Sequence, residues 1–95
     1  MTDLPPIEHD PARGRFQVRV EGHANVCDYR RSGDTMQMVH TEVHPALEGR
    51  GIAAALVAAA VAHARAEGLR IVPLCSYVRT WLRRHPEHAD LLAAR

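Results

Sequence analysis

Apolar and polar residues alternate along the first half of the chain, then give way to an apolar stretch with a different period. Phe16, Val18 and Val20 recur every second residue, the spacing of a half-buried strand over 16–20. Val26 and Tyr29 mark a second short strand over 25–30, and Arg31, Ser32, Gly33 and Asp34 supply hairpin turn residues after it. Residues 35–43 read as the third and longest strand, stopped by Pro45. Strands this close in sequence favour an antiparallel meander. Residues 51–67 then hold nine alanines, with Ile52, Leu56, Val57 and Val61 at helical spacing. Gly68 stands where a helix ends in the left-handed conformation. So many small side chains let the helix pack closely on a sheet. Ile71, Val72, Pro73 and Leu74 predict a buried strand over 69–75, returning parallel to the third strand through a right-handed crossover. Ser76 is expected to cap a short helix ending near Arg84, and Pro86 to open a last helix through Leu91 and Leu92. Residues 1–14 hold three prolines and little periodicity, which predicts a flexible leader ahead of one domain over 15–95. The order β-β-β-α-β-α-α makes the fold class mixed α/β.

Composition narrows the function. At 95 residues, 46% hydrophobic and 24% charged, the chain has room for a single modest core and the mix of a soluble globular protein. A net charge of +1 points to neither nucleic acid nor an acidic substrate. The longest apolar run, Ile52 to Ala62, falls short of the roughly 20 residues of a membrane span, so no membrane partner is expected. The first residues have no basic region or apolar signal core, and the two cysteines, Cys27 and Cys75, make no disulfide framework; a cytoplasmic location with reduced thiols is expected.

The chemistry concentrates between His40 and Ala53. A strand ends, a short loop follows, and Gly49, Arg50 and Gly51 open the alanine-rich helix. Free N–H groups at a helix start favour an anion, the glycines let a phosphate approach the backbone, and Arg50 adds positive charge. The pattern reads as a pyrophosphate cradle. A nucleotide P-loop needs a lysine followed by Ser or Thr, and both are missing. Gly49, Gly51 and Ala54 match a dinucleotide fingerprint only loosely, because 44–48 intervene after the strand and no acidic residue closes the next one. Coenzyme A is the remaining ligand class.

Glu48, Gly49, Arg50, Gly51, Ile52 and Ala53 resemble the Gln/Arg-x-x-Gly-x-Gly/Ala signature of the GNAT acetyltransferase superfamily. Together with 40–43, 72–78 and 84–87, they resemble a small, divergent GNAT subfamily over roughly 15–92. The resemblance implies a trimmed GNAT-like fold: a meander, then a strand-helix-strand unit with splayed parallel strands, then C-terminal helices. It implies acetyl-CoA as co-substrate, held by the backbone of 38–43, Thr41 and Val43 included, and by the amides of Glu48, Gly49, Arg50, Gly51, Ile52 and Ala53. Glu48 stands where the family has Gln or Arg. Typical members also place two helices between their first strands, whereas here Glu21 to Ala24 and Arg31 to Asp34 are tight turns. The acceptor must therefore reach an open cleft, arrive on a partner chain, or not exist.

Acetyl transfer needs a nucleophile, an oxyanion donor and an acid for the departing thiolate. Cys75, at the end of a parallel strand, is a candidate acyl acceptor; its other reading is a buried small hydrophobe. His40, on one strand face with Glu42 and with Met36 and Met38 behind it, is a candidate base for Cys75 or for the amine, or else a structural histidine. Glu42 is a second candidate base or a local hydrogen-bond partner. Tyr77 falls where many family members place a tyrosine that protonates the thiolate; one helical offset would put it in the core. Cys27 reads as a strand residue without chemistry. A metal site is not expected: His40 and His44 lie about 13 Å apart along a strand, too far to share one zinc. The leading reading is an N-acetyltransferase acting on an unidentified amine, a small molecule or a protein. Its rivals are a non-catalytic acyl-CoA-binding or interaction module, and a structural protein that keeps only the fold.

Overall fold

Inward-pointing Phe16, Val18, Cys27, Tyr29, Met36 and Met38 pack beneath one helix, and that contact organises the rest. A computed structural model of the chain describes residues 4–93. Strands β1 (Glu8–Asp10), β2 (Arg15–Val20), β3 (His23–Ser32), β4 (Thr35–Glu42) and β5 (Arg70–Pro73) form one sheet in chain order. Pairing is antiparallel from β1 to β4 and parallel between β4 and β5. Helix α1 spans Ile52–Glu67 and α2 spans Ser76–Arg83, with 3-10 turns at Pro45–Leu47 and Pro86–Leu91.

The meander, the alanine-rich helix and the parallel return strand match the sequence reading. Helix α1 buries Ile52, Leu56, Val57, Ala60, Val61 and Ala64, a stripe that recurs every three to four residues along its length. Ala60 and Ala64 are fully buried, so small side chains face the sheet as expected. Gly68 ends the helix in the left-handed conformation, its N–H reaching Ala64 and Arg65 carbonyls.

Several boundaries differ. Residues 8–10 belong to the sheet rather than to a leader. His9 stacks on Phe16 at 4.2 Å between ring centroids and bonds to the Tyr29 hydroxyl at 2.5 Å, which anchors β1 to the core edge. The first three residues of the expected leader lie outside the described residues. The longest strand is β3, ten residues against eight in β4, because the Glu21–Gly22 turn lets pairing start at His23. Its inward set is Asn25, Cys27 and Tyr29 rather than Val26. Cys75, not Ser76, takes the cap position of α2, and the last helical segment is a 3-10 turn ending at Leu91. Leu92 then bridges Ile71 in parallel, adding a short step beyond β5.

Both helices and the last turn share one core with the inward sheet face. On the opposite face, Gln17, Arg19, Val26, Asp28, Arg30 and Gln37 are half-buried or exposed. No helix among the described residues is long and apolar enough to cross a membrane.

A bulge divides β4. Tyr29 pairs with Met38 but Asp28 pairs with His40, so Val39 is an extra residue with no partner on β3. Before the bulge, Met36 and Met38 face the core; after it, Thr41 pairs with inward-facing Cys27. His40 and Glu42 therefore sit on the outer face, away from Met36 and Met38. The expectation of a single face failed because strict alternation does not survive an inserted residue.

Candidate functional site

The platform for the β4–α1 loop is assembled from polar groups. Asn25 is fully buried, and its side-chain amide donates to the Val18 and His23 carbonyls at 3.2 and 3.1 Å. Its carbonyl accepts the His44 N–H at 2.9 Å, so two strands grip the chain where β4 ends. The His44 ring stacks on His23 at 3.6 Å, and its Nδ1 accepts the Ala46 N–H to cap the 3-10 turn. Leu47 plugs this turn into the core. Sequence reasoning overlooked Asn25 and Leu47, although an amide at an inward strand position and a lone leucine in a polar loop were both visible.

From this platform the chain passes through Gly49 and Gly51 at φ 86° and 81°. An added Cβ at either would meet nothing within 4 Å, so in the free protein the left-handed backbone, not crowding, calls for glycine. Gly51 is the cap residue of α1 and has no side chain to offer, and the first turn contains no acidic residue. The first intrahelical bond is Ala55 N–H to the Gly51 carbonyl at 3.0 Å. The amides of Ile52, Ala53 and Ala54 thus stand at the positive end of a 16-residue helix without an intrahelical acceptor.

The loop opens onto a cleft of about 550 Å³. Thr41, Val43, Glu48, Gly49, Gly51, Ile52 and Ala53 line it, as do Glu42 and Tyr77. Arg50 does not. Its guanidinium reaches Glu21 at 2.6 Å in the β2–β3 turn, which holds the Glu21 carboxyl below its ordinary pKa. Glu21 has left-handed backbone, φ 51°, and was not singled out from the sequence.

One side of the cleft comes from a strand pair that stops early. Pairing of β4 with β5 ends at Met38 and Pro73, and the Leu74 and Cys75 N–H groups both turn onto the Met38 carbonyl at 3.0 Å. Beyond that point β4 continues to Glu42 while the other chain enters α2. From Thr41 onward the edge of β4 on this side has no strand partner. In an extended chain the Val43 backbone shares that edge.

The four catalytic candidates separate into two places. Cys75, half-buried, lies 3.6 Å from the Thr41 hydroxyl. Partial burial opposes ionisation of its thiol, but hydrogen bonding from the Val78 N–H, the Thr41 hydroxyl and the Tyr77 and Thr41 N–H groups outweighs it and lowers the pKa. The sulfur approaches the helix amides without completing a regular capping bond. Tyr77, 38% exposed, follows on the first turn of α2, its phenol pushed up mainly by burial. His40 and Glu42 bond each other at 3.0 Å on the outer face. His40 is therefore not positioned as a base for Cys75. Cys27 is fully buried on β3, its thiol pushed up to about 11 chiefly by burial. Among the described residues, no group of three or more His, Cys, Asp or Glu gathers to hold a metal.

Known proteins are similar to this chain in sequence and fold. A family model described as GCN5-related N-acetyl-transferase matches residues 15–91. Protein NATD1 of Xenopus tropicalis is 36% identical over 83 residues, covering 84% of this chain and 76% of its own length. The human Protein NATD1 is 35% identical over the same length, covering 84% and 74%. The solution structure of a GCN5-like protein from Staphylococcus aureus superposes with a TM-score of 0.76 at 26% identity, covering 100% of this chain and 93% of that one. The extent of these matches, through the glycine loop and the interrupted strand pair, shows that the chain belongs to the GCN5-related N-acetyltransferase family.

Proposed function

We propose that the chain binds acetyl-CoA in the β4–α1–α2 cleft and transfers the acetyl group to an amine. The uncapped start of α1 carries this reading: a ring of amides at a helix N-terminus, with no acid in the first turn, suits a pyrophosphate. The gap between β4 and β5 suits an extended amide-bearing arm, with the Thr41 and Val43 backbone as its hydrogen-bonding edge. Acetyl-CoA supplies an activated thioester carbonyl. Around it, backbone amides stabilise the developing oxyanion and Tyr77 delivers a proton to the departing sulfur. The His40–Glu42 pair, exposed on the outer face with Glu42 at the cleft rim, is placed to take the proton of an amine arriving from that side.

Cys75 offers a covalent route. Its thiolate forms a bond to the acetyl carbon, the bond to the CoA sulfur breaks, and an amine later takes the acetyl group and returns the thiolate. A specific observation favours the non-catalytic alternative: the outer sheet face is uncovered, so nothing in the described chain encloses an acceptor.

Calorimetry tests binding. Gly51→Glu should abolish acetyl-CoA binding by placing a carboxylate in the anion site, whereas Arg50→Ala should only weaken it, since the amides remain. NAD and ATP should bind far more weakly than CoA. Equal affinity of wild type and Gly51→Glu would sink the proposal. Turnover of acetyl-CoA with candidate amines, with intact mass read for a labile acetyl adduct on Cys75, separates catalysis from binding alone.

A further inference from the structure

One hydroxyl joins the two cysteines. The Thr41 Oγ1 lies 3.6 Å from the Cys75 sulfur and 3.8 Å from the Cys27 sulfur, both within reach of a sulfur hydrogen bond. Cys27 lies opposite Thr41 on β3, and Cys75 comes from the far side of β4. Only the bulge at Val39 makes this possible, because without it the Thr41 side chain would point out of the sheet.

We propose that Thr41 is a positioning residue for Cys75, and that Cys27, Thr41 and Cys75 form a hydrogen-bonded relay that favours the Cys75 thiolate. A threonine hydroxyl has one proton and two lone pairs, and the proton can rotate. With both thiols neutral, Cys75 donates to Thr41, and Thr41 donates to Cys27. When Cys75 loses its proton it can only accept. The Thr41 proton then turns to Cys75, and the Cys27 S–H donates to the freed lone pair of Thr41. Full burial keeps Cys27 protonated at neutral pH, so the charge settles on the half-buried sulfur of Cys75, behind the cleft-lining Thr41.

The titratable groups packed toward Cys75 are Cys27 from β3 and Tyr77 from its own helix. His40 is on the other face of β4, and the Arg79 guanidinium is held by the Pro73 and Leu74 carbonyls at 3.2 and 3.0 Å. A disulfide is not an alternative role for the pair. Strand β4 separates the two backbones, and neighbouring strands sit about 4.8 Å apart, so Cα atoms two strands away exceed the usual reach of such a bridge.

This inference rests on the proposed seat of acetyl-CoA in the cleft that Thr41 lines beside Cys75, but its test needs no acetyl-CoA. Iodoacetamide alkylation of Cys75, followed by peptide mass over a range of pH, reports the ionisation of that thiol directly. Thr41→Val, nearly the same shape without the hydroxyl, should move the midpoint upward by about one pH unit. Thr41→Ser, which restores the hydroxyl, should return it to the wild-type value. Cys27→Ala should give a smaller shift in the same direction and stands as an independent test if Thr41→Val does not fold. An unchanged midpoint in a folded Thr41→Val, or an equal shift in Thr41→Ser, overturns the role of Thr41. An unchanged midpoint in Cys27→Ala overturns the relay. Failure of acetyl-CoA to bind would count against the proposed function and leave these outcomes readable.

Discussion

Arg50 shows how far a residue's role depends on its neighbour. From the sequence it is the cation of an anion-binding loop; in the free protein its charge is engaged by Glu21. A bound phosphate would compete with that carboxylate. Glu21→Gln should therefore tighten acetyl-CoA binding a few-fold at low salt, and Arg50→Ala in the same background should remove the gain. Calorimetry on the four-member set of variants measures the coupling, and an affinity gain that persists without Arg50 would show that Glu21 acts on the ligand directly. The backbone part of the site was legible from Gly49 and Gly51, because a required left-handed conformation leaves a mark in residue type. Asn25 and Glu21 left none, since a buried amide or a turn glutamate looks like any surface polar residue until its partners are known.

Elements differ in the same way. Helix α1 was readable because its apolar stripe persists over 16 residues, and β5 because a short apolar run between a helix and a cap has few other fates. Strand β1, three residues long with prolines on both sides, carries too little pattern to register; tertiary contact through His9 makes it a strand. That contact is sensitive to acid. His9 lies below its ordinary pKa, first because of burial and then because of His63 at 4.4 Å, with Asp10 and Glu67 partly opposing. A folded-state pKa below the unfolded value of about 6.5 means that the contribution is complete above that pH and is lost as pH falls through the folded pKa. Stability should therefore decline between pH 7.5 and 5, as read from urea midpoints at those two values. His9→Phe should flatten the decline, and an undiminished decline in that variant would place the acid sensitivity elsewhere. The bulge in β4 had no legible signal at all, because Val39 suits either face.

At the scale of the molecule, the cleft draws on β4, its loop, α1 and α2, so a ligand there should stabilise the domain as a unit. At 100 times its Kd, acetyl-CoA would contribute about 2.7 kcal/mol to the folded state. For a domain of this size that is a rise in Tm of roughly 10 to 20 °C, read by calorimetric or fluorescence melting. Gly51→Glu should show no rise, and a wild-type Tm unmoved at saturating ligand would contradict binding to the folded domain. The sheet also has helices on one side only, which gives the chain's counting an unusual weight. Inside and outside are assigned along each strand by parity, so Val39 acts on the end of β4 as an inserted base acts on a message. Pairing it in the ladder instead would exchange the sides of everything from 40 to 43, bringing a histidine and a carboxylate inward and turning Thr41 out, without altering one residue of the site, whereas deleting it outright would remove the bulge and keep Thr41 inward. Length changes in the 11–14 or 33–34 turns carry no such penalty, because a turn can absorb a residue before the next strand begins to count. The site tolerates an unpaired residue at 39, or none; a paired one would turn it inside out.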